Sequence, residues 1–565
     1  MSDPMAASRA DIPADLERYR SSGVISRDDI AAVRMLIEMA KRDGHTPPDL
    51  LGWLGMCLAM RTVRDGHTCV DFGRITEWAA GLDLHGEARG VWPGEVKRWL
   101  RALTATEALV GPPGSRRPFI VDGTRLYLGR SYSEEASIAQ SIRERAAANR
   151  LRILLGGPGT GKTTKVAYDL VESFSSLPAD APPPRLALAA PTGKAAARMS
   201  EVLRQRCLDA GASEAVLAAV TAEPARTVHK LLGYNPSRAR RYTYHAGNPL
   251  PYDTVIVDEA SMLSSALMHH LLVAVHPEAE IRLVGDPDQL ASVDAGTVLG
   301  DLAVFGHASQ QTSPLHTCIE TLTTIHRAEA PEIITLSTAI RESSPQGAFE
   351  VLTAGSPAVI WIDPGDRSAL DTAVAEVVAH ANALRKAARR RSPANVLNTK
   401  SQLQVLCAHR DGPMGVGGWN ARIEKGMAIA AGEPWYAGRP IMITRNSRAL
   451  GLANGDVGVV VPQGKRMEAL FGLPNDLKSV PVTRLEDVAT VHALTIHKSQ
   501  GSEYDHAVIV LPEQSSRIVT RELLYTGVTR AKKQVTVIGS RDVIEAAIQT
   551  PIRRATGLAE RLATT

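Results

Sequence analysis

A glycine-rich segment at residues 156–163 carries the clearest chemical signal in the sequence. It reads GGPGTGKT, which fits the spacing G-x-x-x-x-G-K-[ST], and it follows the apolar run Leu151–Leu155. In such a loop, successive backbone N–H groups surround phosphate oxygens, and the N-terminus of the following helix adds a favourable dipole. Lys162 is predicted to reach the β and γ phosphates of ATP, and the Thr163 hydroxyl to ligate Mg²⁺. The predicted phosphate-binding residues are Gly156, Gly157, Pro158, Gly159, Thr160, Gly161, Lys162, Thr163 and Thr164.

Two acidic residues and an amide follow other apolar runs. Asp258 and Glu259 come directly after Val255–Val257. A carboxylate at the end of a strand can hold Mg²⁺, and an adjacent acid can polarise the attacking water. Asp258 is therefore predicted as a metal ligand and Glu259 as the general base. Gln289 lies in the segment GDPDQL (285–290), which follows Arg282–Val284, and is predicted to sense the γ-phosphate. The Asp-Pro pair of this segment is typical of a type I turn, and such a turn would place the Gln289 amide.

Two predicted loops, each directly before a helix, have residues suited to contact a nucleic-acid backbone. The segment APTGKAAAR (190–198) has small residues that allow close approach of a strand. Its Thr192 and Lys194 are predicted to contact phosphates. The segment TVHKLLG (227–233), which contains His229, is interpreted as a second loop of this kind.

The apolar runs that precede these loops alternate with helical segments, which predicts parallel sheets with helices on both faces. Asn454-Gly455 between two apolar runs predicts a tight hairpin turn within a small β element. Residues 1–125 instead look mainly helical, with a hairpin predicted at their end over Phe119–Leu128. The predicted strands are Arg152–Leu155, Leu186–Ala190, Thr254–Val257, Ile281–Val284, Gln404–Cys407, Ile441–Thr444, Val457–Val460, Ala507–Val510 and Val535–Ile538.

Composition sets further bounds on the class of protein. A chain of 565 residues is long enough for three or four domains. The formal net charge of +4 is small, so a nucleic-acid contact would come from a local groove. The five cysteines include no CxxC pair, so no zinc site or disulfide framework is expected, and a reducing cytoplasm fits. No secretory signal is predicted, because the N-terminus lacks the basic, apolar and cleavage-site sequence of one. No membrane span is predicted either, because the longest apolar run, Leu50–Met60, is too short to cross a bilayer.

The order and combination of these motifs resemble superfamily 1 helicases and, within them, the RecD family, the α subunits of RecBCD (exodeoxyribonuclease V) complexes. The matching segments are GGPGTGKTT (156–164), APTGKAAAR (190–198), HAGNPL (245–250), VDEASM (257–262), GDPDQLASV (285–293), GRPIMITRN (438–446), LGLANGDVG (450–458), HKSQGSEYDHA (497–507) and VTRELLYTGVTRA (519–531). The resemblance implies a 5′-to-3′ DNA helicase that acts with RecB- and RecC-like subunits in a heterotrimer on DNA double-strand breaks. The nuclease of such complexes belongs to RecB, and no nuclease site is visible in this sequence.

The resemblance also implies roles for residues in the second half of the chain. Arg327 and Arg530 match the two arginines that reach ATP from the second lobe of the family. Guanidinium groups suit a charge spread over phosphate oxygens, and arginine fingers contribute roughly three to five orders of magnitude in rate. Glu503 matches a position near the nucleotide sugar. The DNA-facing loop of the family matches Thr495, His497 and Lys498.

The expected architecture is α/β, with two RecA-like P-loop lobes that contain parallel sheets, a small β insertion in each lobe, and a mainly helical N-terminal domain. Residues 1–125 are assigned to the N-terminal domain, which the resemblance makes a docking surface for partner subunits. Residues 126–320 are assigned to the first lobe with an insertion at about 233–251, and residues 321–565 to the second lobe with a β-barrel-like insertion at about 435–490. Two alternatives stay open: a stand-alone 5′-to-3′ DNA helicase, and a nucleotide-gated DNA-binding scaffold, which an intact Glu259 disfavours.

Overall fold

The N-terminal part of the chain packs helices against a small mixed sheet. The computed structural model describes residues 12–80, 95–175, 184–238, 241–308, 313–325, 330–390, 392–430, 432–447, 449–464, 466–473 and 476–563. Its first helices are α1 (Leu16–Ser21), α2 (Arg27–Arg42), α3 (Leu50–Arg64), α4 (Ile75–Ala80) and α5 (Val96–Thr104). The strands β1 (Cys69–Asp71), β2 (Val110–Gly111), β3 (Phe119–Asp122) and β4 (Arg125–Leu128) lie in the order β1-β4-β3-β2.

Local capping explains where the first long helices begin. The Ser26 hydroxyl accepts a hydrogen bond from Asp29 N (3.2 Å), and the Asp29 carboxylate accepts one from Ser26 N (2.8 Å), which is a capping box at the start of α2. Asp49 caps α3 by accepting from Gly52 N (2.8 Å). The helices and the β3–β4 hairpin confirm the sequence predictions, although the sheet makes this domain less purely helical than expected.

The first lobe contains a parallel sheet in the order β10-β5-β9-β8-β6-β7. Its strands are β5 (Leu151–Gly156), β6 (Leu186–Ala190), β7 (Arg226–Thr227), β8 (Thr254–Val257), β9 (Glu280–Gly285) and β10 (Ile319–Leu322). Its helices are α6 (Gly129–Ala147), α7 (Lys162–Ser175), α8 (Gly193–Asp209), α9 (Glu214–Thr221), α10 (Val228–Leu231), α11 (Ser265–Ala274), α12 (Val298–Ala308) and α13 (Pro314–Thr317). Apolar side chains on both faces of the sheet are buried under these helices, as expected for a parallel sheet.

The first-lobe insertion differs from the predicted β element. Within the described part of residues 233–251, strand pairing is limited to two isolated bridges, one between His245 and Asn248 and one between Leu250 and Val275. The segment is held by aromatic packing instead, since the rings of Tyr242 and His270 lie 4.3 Å apart.

The second lobe contains another parallel sheet, in the order β11-β20-β19-β12-β18. Its strands are β11 (Val359–Ile362), β12 (Leu403–Cys407), β18 (Ala493–Thr495), β19 (Tyr504–Val510) and β20 (Ala531–Ile538). Its helices are α14 (Pro331–Arg341), α15 (Pro345–Leu352), α16 (Arg367–Arg389), α17 (Pro393–Gln402), α18 (Val416–Gly426), α19 (Arg521–Val528) and α20 (Arg541–Gln549).

An antiparallel sheet is inserted between β12 and β18, as predicted. It comprises β13 (Pro440–Ile443), β14 (Val457–Gln463), β15 (Arg466–Leu473), β16 (Asp476–Pro481) and β17 (Val488–Thr490), in the order β16-β15-β14-β13-β17. Gly455 has a φ of +96°, and Asp456 N donates to Ala453 O (3.1 Å), so a tight turn forms at Asn454-Gly455 as predicted, although it does not join β13 to β14 directly. The connection between β13 and β14 is longer than a two-residue hairpin.

The last helix, α21 (Leu558–Ala563), returns to the first lobe. Leu558 and Leu562 are buried in the same apolar core as α6 and α12. The Thr556 hydroxyl donates to the Asp301 carboxylate on α12 (2.9 Å). The predicted assignment of residues 321–565 to the second lobe therefore fails at this C-terminal segment, and the other predicted boundaries stay predictions. In the described part of the chain, no helix has the length and apolarity that crossing a membrane requires.

The docking of this segment predicts a pH dependence of stability. Burial raises the pKa of Asp301 to about 8, and the negative charges of Glu135 and Glu560 add to the shift. An unfolded Asp has a pKa of about 3.9, so the folded protein holds this proton more tightly and stability falls as pH rises from about 4 towards 8. Asp301→Asn mimics the protonated side chain. Between about pH 5 and about pH 8, we expect the melting temperature of the variant to decrease less than that of the wild type.

Thermal unfolding of both proteins across this pH range tests the prediction, with Asp371→Asn on the exposed side of α16 as the matched control. The control should follow the wild type. Parallel pH curves for Asp301→Asn and the wild type would contradict a raised pKa of Asp301 in the folded protein.

Candidate functional site

The glycine-rich loop joins β5 to α7 in the conformation that its glycines allow. Gly159 and Gly161 have φ values of +79° and +83°, a region that other residues rarely adopt. The Lys162 ammonium donates to Gly156 O (2.6 Å) and to Gly157 O (2.9 Å). The lysine is therefore folded back over its own loop, at the N-terminus of α7 where phosphate oxygens bind in other proteins.

The loop faces a cavity of about 730 Å³ between the two lobes. The first lobe contributes Pro158, Gly159, Thr160, Gly161, Lys162, Thr163, Thr164, Asp258, Glu259 and Gln289, and the second lobe contributes Gly501, Glu503 and Arg530. The structure thus brings the predicted residues of both lobes to one cleft. Arg327 lies outside the described residues, so its role stays a prediction.

The acidic pair lies at the C-terminal end of β8. Burial raises the pKa of Asp258, the Glu259 charge adds to the shift, and the Lys162 ammonium opposes it. Glu259 has φ +52° and ψ +38°, a left-handed conformation that is strained in a residue other than glycine and that concentrates at functional sites. The local fold therefore holds two carboxylates close together against the phosphate loop.

The donors available to a metal ion suit Mg²⁺. Among the described residues, no group of three or more His, Cys, Asp or Glu side chains could hold a metal by itself. The Thr163 hydroxyl and the Asp258 carboxylate both line the cleft. Mg²⁺ prefers oxygen ligands, and one or two protein ligands suffice when phosphates supply the others.

The Gln289 amide and the Arg530 guanidinium meet across the lobe boundary. Arg530 is 3% exposed, and its Nη2 donates to Gln289 Oε1 (2.9 Å). Its other donors bind carbonyls of its own lobe, Thr526 O (3.1 Å) and Ser502 O (3.2 Å). The predicted γ-phosphate sensor and the predicted arginine finger are therefore joined directly.

Asp286 and Tyr525, which the sequence analysis did not assign to the site, complete this contact. Asp286 Oδ2 accepts from Gln289 Nε2 (3.1 Å) and from the Tyr525 hydroxyl (3.1 Å). Burial raises the pKa of Asp286, and it raises that of the Tyr525 phenol as well. A Cβ on Gly157 would lie 3.0 Å from the Tyr525 oxygen, so the phenol also approaches the phosphate loop. The local signal for Asp286 is its position directly after a strand, but an Asp-Pro pair there is equally typical of a type I turn.

Glu503, which the resemblance places near the nucleotide sugar, forms ion pairs in the cleft. Arg198 Nη2 of α8 lies 2.6 Å from Glu503 Oε2, and Lys532 Nζ lies 3.6 Å from the same oxygen. Arg198 belongs to the APTGKAAAR segment and reaches across the lobe boundary. This arginine was not predicted as a site residue.

The predicted DNA-facing residues of the first lobe follow neighbouring strands. Ala190 of β6 pairs with Thr227 of β7, so Thr192 and His229 each lie two residues beyond that pair. The Thr192 hydroxyl caps α8 by accepting from Ala195 N (3.2 Å). Burial lowers the pKa of His229. The Lys194 ammonium lies 5.8 Å from the centre of the Tyr504 ring, at the lobe boundary, and its contact with DNA phosphates stays a prediction.

The predicted DNA-facing loop of the second lobe begins at the end of β18. The Thr495 hydroxyl accepts from Lys498 N (3.4 Å). Burial and the nearby Arg410 charge lower the pKa values of both His497 and Lys498. Cys407 pairs with Thr495 in parallel strands, so Arg410 leaves the sheet beside this loop. Arg410 is an exposed basic neighbour that the sequence analysis did not single out.

Family comparisons match three separate parts of the chain. Residues 21–127 match the N-terminal domain of RecBCD enzyme subunit RecD. Residues 139–295 match the AAA domain family, and residues 490–538 match the UvrD-like helicase C-terminal domain. The last two matches contain the phosphate loop and Arg530, respectively.

Comparison with known proteins extends the match to nearly the whole chain. The RecBCD enzyme subunit RecD of Mycolicibacterium smegmatis is 40% identical over 550 residues, which cover 91% of this chain and 94% of that protein. The RecBCD enzyme subunit RecD of Mycobacterium tuberculosis is 37% identical over 582 residues, covering 97% of this chain and 96% of that protein. The ATP-dependent RecD2 DNA helicase of Deinococcus radiodurans is 33% identical over 513 residues, covering 88% of this chain and 62% of that protein. The chain belongs to the RecD family.

Proposed function

We propose that the chain is the ATP-driven, 5′-to-3′ DNA helicase subunit of a RecBCD-type complex, which works with RecB- and RecC-like subunits on DNA double-strand breaks in the cytoplasm. The observation that carries the proposal is the contact between Gln289 and Arg530 in a cleft that also contains Lys162 and Glu259. The relatives from Mycolicibacterium smegmatis and Mycobacterium tuberculosis match over more than nine-tenths of their length and are RecBCD subunits, which supports a complex over a stand-alone helicase.

Binding of the triphosphate begins at the glycine-rich loop. The Lys162 ammonium exchanges the carbonyls of Gly156 and Gly157 for phosphate oxygens, while loop N–H groups and the α7 dipole bind the remaining charge. Thr163 and Asp258 would hold Mg²⁺, which neutralises charge on the phosphate oxygens. These groups orient the terminal phosphate towards Glu259.

Hydrolysis then uses residues of both lobes. The Glu259 carboxylate accepts a proton from the attacking water as the new P–O bond forms and the bond to the leaving diphosphate breaks. The Arg530 guanidinium donates to phosphate oxygens whose charge develops in the transition state. Because Arg530 belongs to the second lobe, hydrolysis requires the closed arrangement of the lobes, and loss of the terminal phosphate removes one contact that keeps them together.

Movement along DNA follows from this coupling. Leu290, next to Gln289, is held by the second lobe, since its N–H donates to Thr526 Oγ1 (2.9 Å) and its carbonyl accepts from Gln500 Nε2 (3.0 Å). A change at the terminal phosphate therefore shifts one lobe against the other. The loops at Thr192 and Thr495 lie on different lobes, so each would hold the DNA backbone in turn. The intact Glu259 and the placement of Arg530 favour this motor over a nucleotide-gated scaffold.

Arg530→Lys tests the arginine finger. Lysine keeps the charge but cannot reproduce the planar set of donors. We expect DNA-stimulated ATP turnover to fall by about 10³-fold or more, with nucleotide binding retained. Steady-state hydrolysis and equilibrium nucleotide binding measure the two effects. Arg521→Lys is the matched control, because Arg521 begins α19, the helix directly before Arg530, and bonds Glu522 and Ser343 outside the cleft. Equal turnover by Arg530→Lys and the wild type would remove Arg530 from the chemistry.

Strand separation tests the function as a whole. We expect the chain, alone or with its partner subunits, to unwind a duplex with a 5′ single-stranded tail and to leave one with a 3′ tail paired. Phosphate contacts dominate such binding, so DNA affinity should fall steeply with salt. Lys162→Gln should bind DNA but lose ATP hydrolysis by about 10²-fold or more, and unwinding with it. Unwinding from the 3′ tail, or unwinding that persists in Lys162→Gln, would contradict the proposal.

A further inference from the structure

The loop of residues 286–296, which follows β9, connects the nucleotide cleft to two other parts of the chain. Its first half contains Gln289 and Leu290, which contact the second lobe at Arg530, Thr526 and Gln500. Its second half turns away from the cleft. There it is bound by the C-terminal segment that joins α20 to α21 and by the N-terminal domain.

Arg554 is the centre of this second contact. Its Nη1 donates to Ser292 Oγ (3.2 Å), Asp294 O (2.8 Å) and Gly296 O (2.8 Å), and its Nη2 donates to Ser292 O. One guanidinium group thus binds four acceptors within five residues of the loop. The planar donor set of arginine suits such multiple contacts, whereas the single ammonium of lysine does not.

The N-terminal domain contacts the same part of the loop and the residue after Arg554. Gly296 N donates to Gly66 O (3.0 Å), Ala555 N donates to His67 Nδ1 (2.8 Å), and Thr68 N donates to Ala555 O (3.0 Å). Gly66 has a φ of +86°, and a Cβ there would lie 3.0 Å from the Arg554 guanidinium carbon. The backbone of the N-terminal domain is therefore packed directly against Arg554 and the loop.

The start of the C-terminal segment is attached to the helix that borders the cleft. Arg521 N donates to Thr550 O (2.9 Å), and Ile552 N donates to the Glu522 carboxylate (2.7 Å). Arg521 and Glu522 begin α19, which also carries Tyr525 and Thr526. A displacement of α19 relative to the first lobe therefore acts on residues 550–552, close to Arg554.

The tip of the loop lies near the DNA-facing side of the first lobe. Val293 is 85% exposed, and the Asp294 charge acts on the His229 ring. The same loop thus has its beginning in the nucleotide cleft, its tip near His229, and its end bound to Gly66.

We propose that Arg554 is a positioning residue that couples the nucleotide state of the cleft to the N-terminal domain, through its contacts with residues 292–296 and the loop at Gly66–Thr68. The inference rests on the proposed function for its nucleotide cycle. It makes the N-terminal domain, the predicted docking surface for partner subunits, sensitive to the motor's ATP state. A partner that contacts this domain would then sense whether the lobes are closed.

Hydrogen exchange of the full chain, with and without ADP, aluminium fluoride and Mg²⁺, tests this coupling. We expect the ligand to slow exchange at residues 64–72 of the wild type by about 3- to 30-fold, the range typical of coupling between sites. In Arg554→Gln the ligand should change exchange there by less than about 2-fold, while its effect on residues 156–164 persists. Arg553→Gln is the matched control, because Arg553 is an exposed neighbour that pairs with Glu77 and not with the loop.

The ligand-dependent difference separates coupling from simple packing. A merely structural role for Arg554 would speed exchange at residues 64–72 equally with and without ligand, and that result would overturn the inference. The inference would also be overturned if the ligand slowed exchange at residues 64–72 of Arg554→Gln as much as in the wild type. If Arg554→Gln does not fold, Arg554→Lys, with fewer donors, must show the same loss of response. Absence of any ligand effect at residues 156–164 of the wild type would instead mark failure of the proposed ATP site.

Discussion

The hydrogen bond between Gln289 and Arg530 is the contact on which the arrangement of the two lobes depends. A buried guanidinium is costly unless its donors are satisfied, and Arg530 satisfies them with carbonyls of its own lobe and the amide of the other. The second lobe therefore fixes the direction in which the Arg530 side chain points. Asp286 in turn fixes Gln289, so the charge that would act on a phosphate and the amide that would sense it are oriented together.

Strand order explains how distant segments reach this contact. In the first lobe, β9 lies between β5 and β8, so the loop with Gln289 emerges between the phosphate loop and the acidic pair. In the second lobe, cleft residues lie at the beginnings of β19 and β20, whereas the loop proposed to contact DNA lies at the end of β18. Residues 495–503 run from the edge of the sheet where β18 ends to the opposite edge, where β19 begins. A short, well-packed segment therefore connects the proposed DNA site with the proposed nucleotide site.

The sequence was sufficient for the parts of the site that are local. The phosphate loop, the acidic pair and the longer strands were predicted because their chemistry and periodicity lie within a few residues. Tyr525 was missed because its partner Asp286 is far away in the chain and leaves no local pattern. Strands as short as β7 and β18 have little periodicity. The return of α21 to the first lobe, and the position of Lys194 over Tyr504, depend on how the lobes pack, which no single motif encodes.

A structure of the chain with ADP, aluminium fluoride and Mg²⁺ would test the central claim most directly. If the two lobes close around one triphosphate, the Arg530 guanidinium will lie within hydrogen-bonding distance of the fluoride group that replaces the terminal phosphate, with Gln289 and Glu259 on the same side. An Arg530 side chain that stays on the carbonyls of Thr526 and Ser502, away from the fluoride group, would contradict a hydrolytic site shared between the lobes.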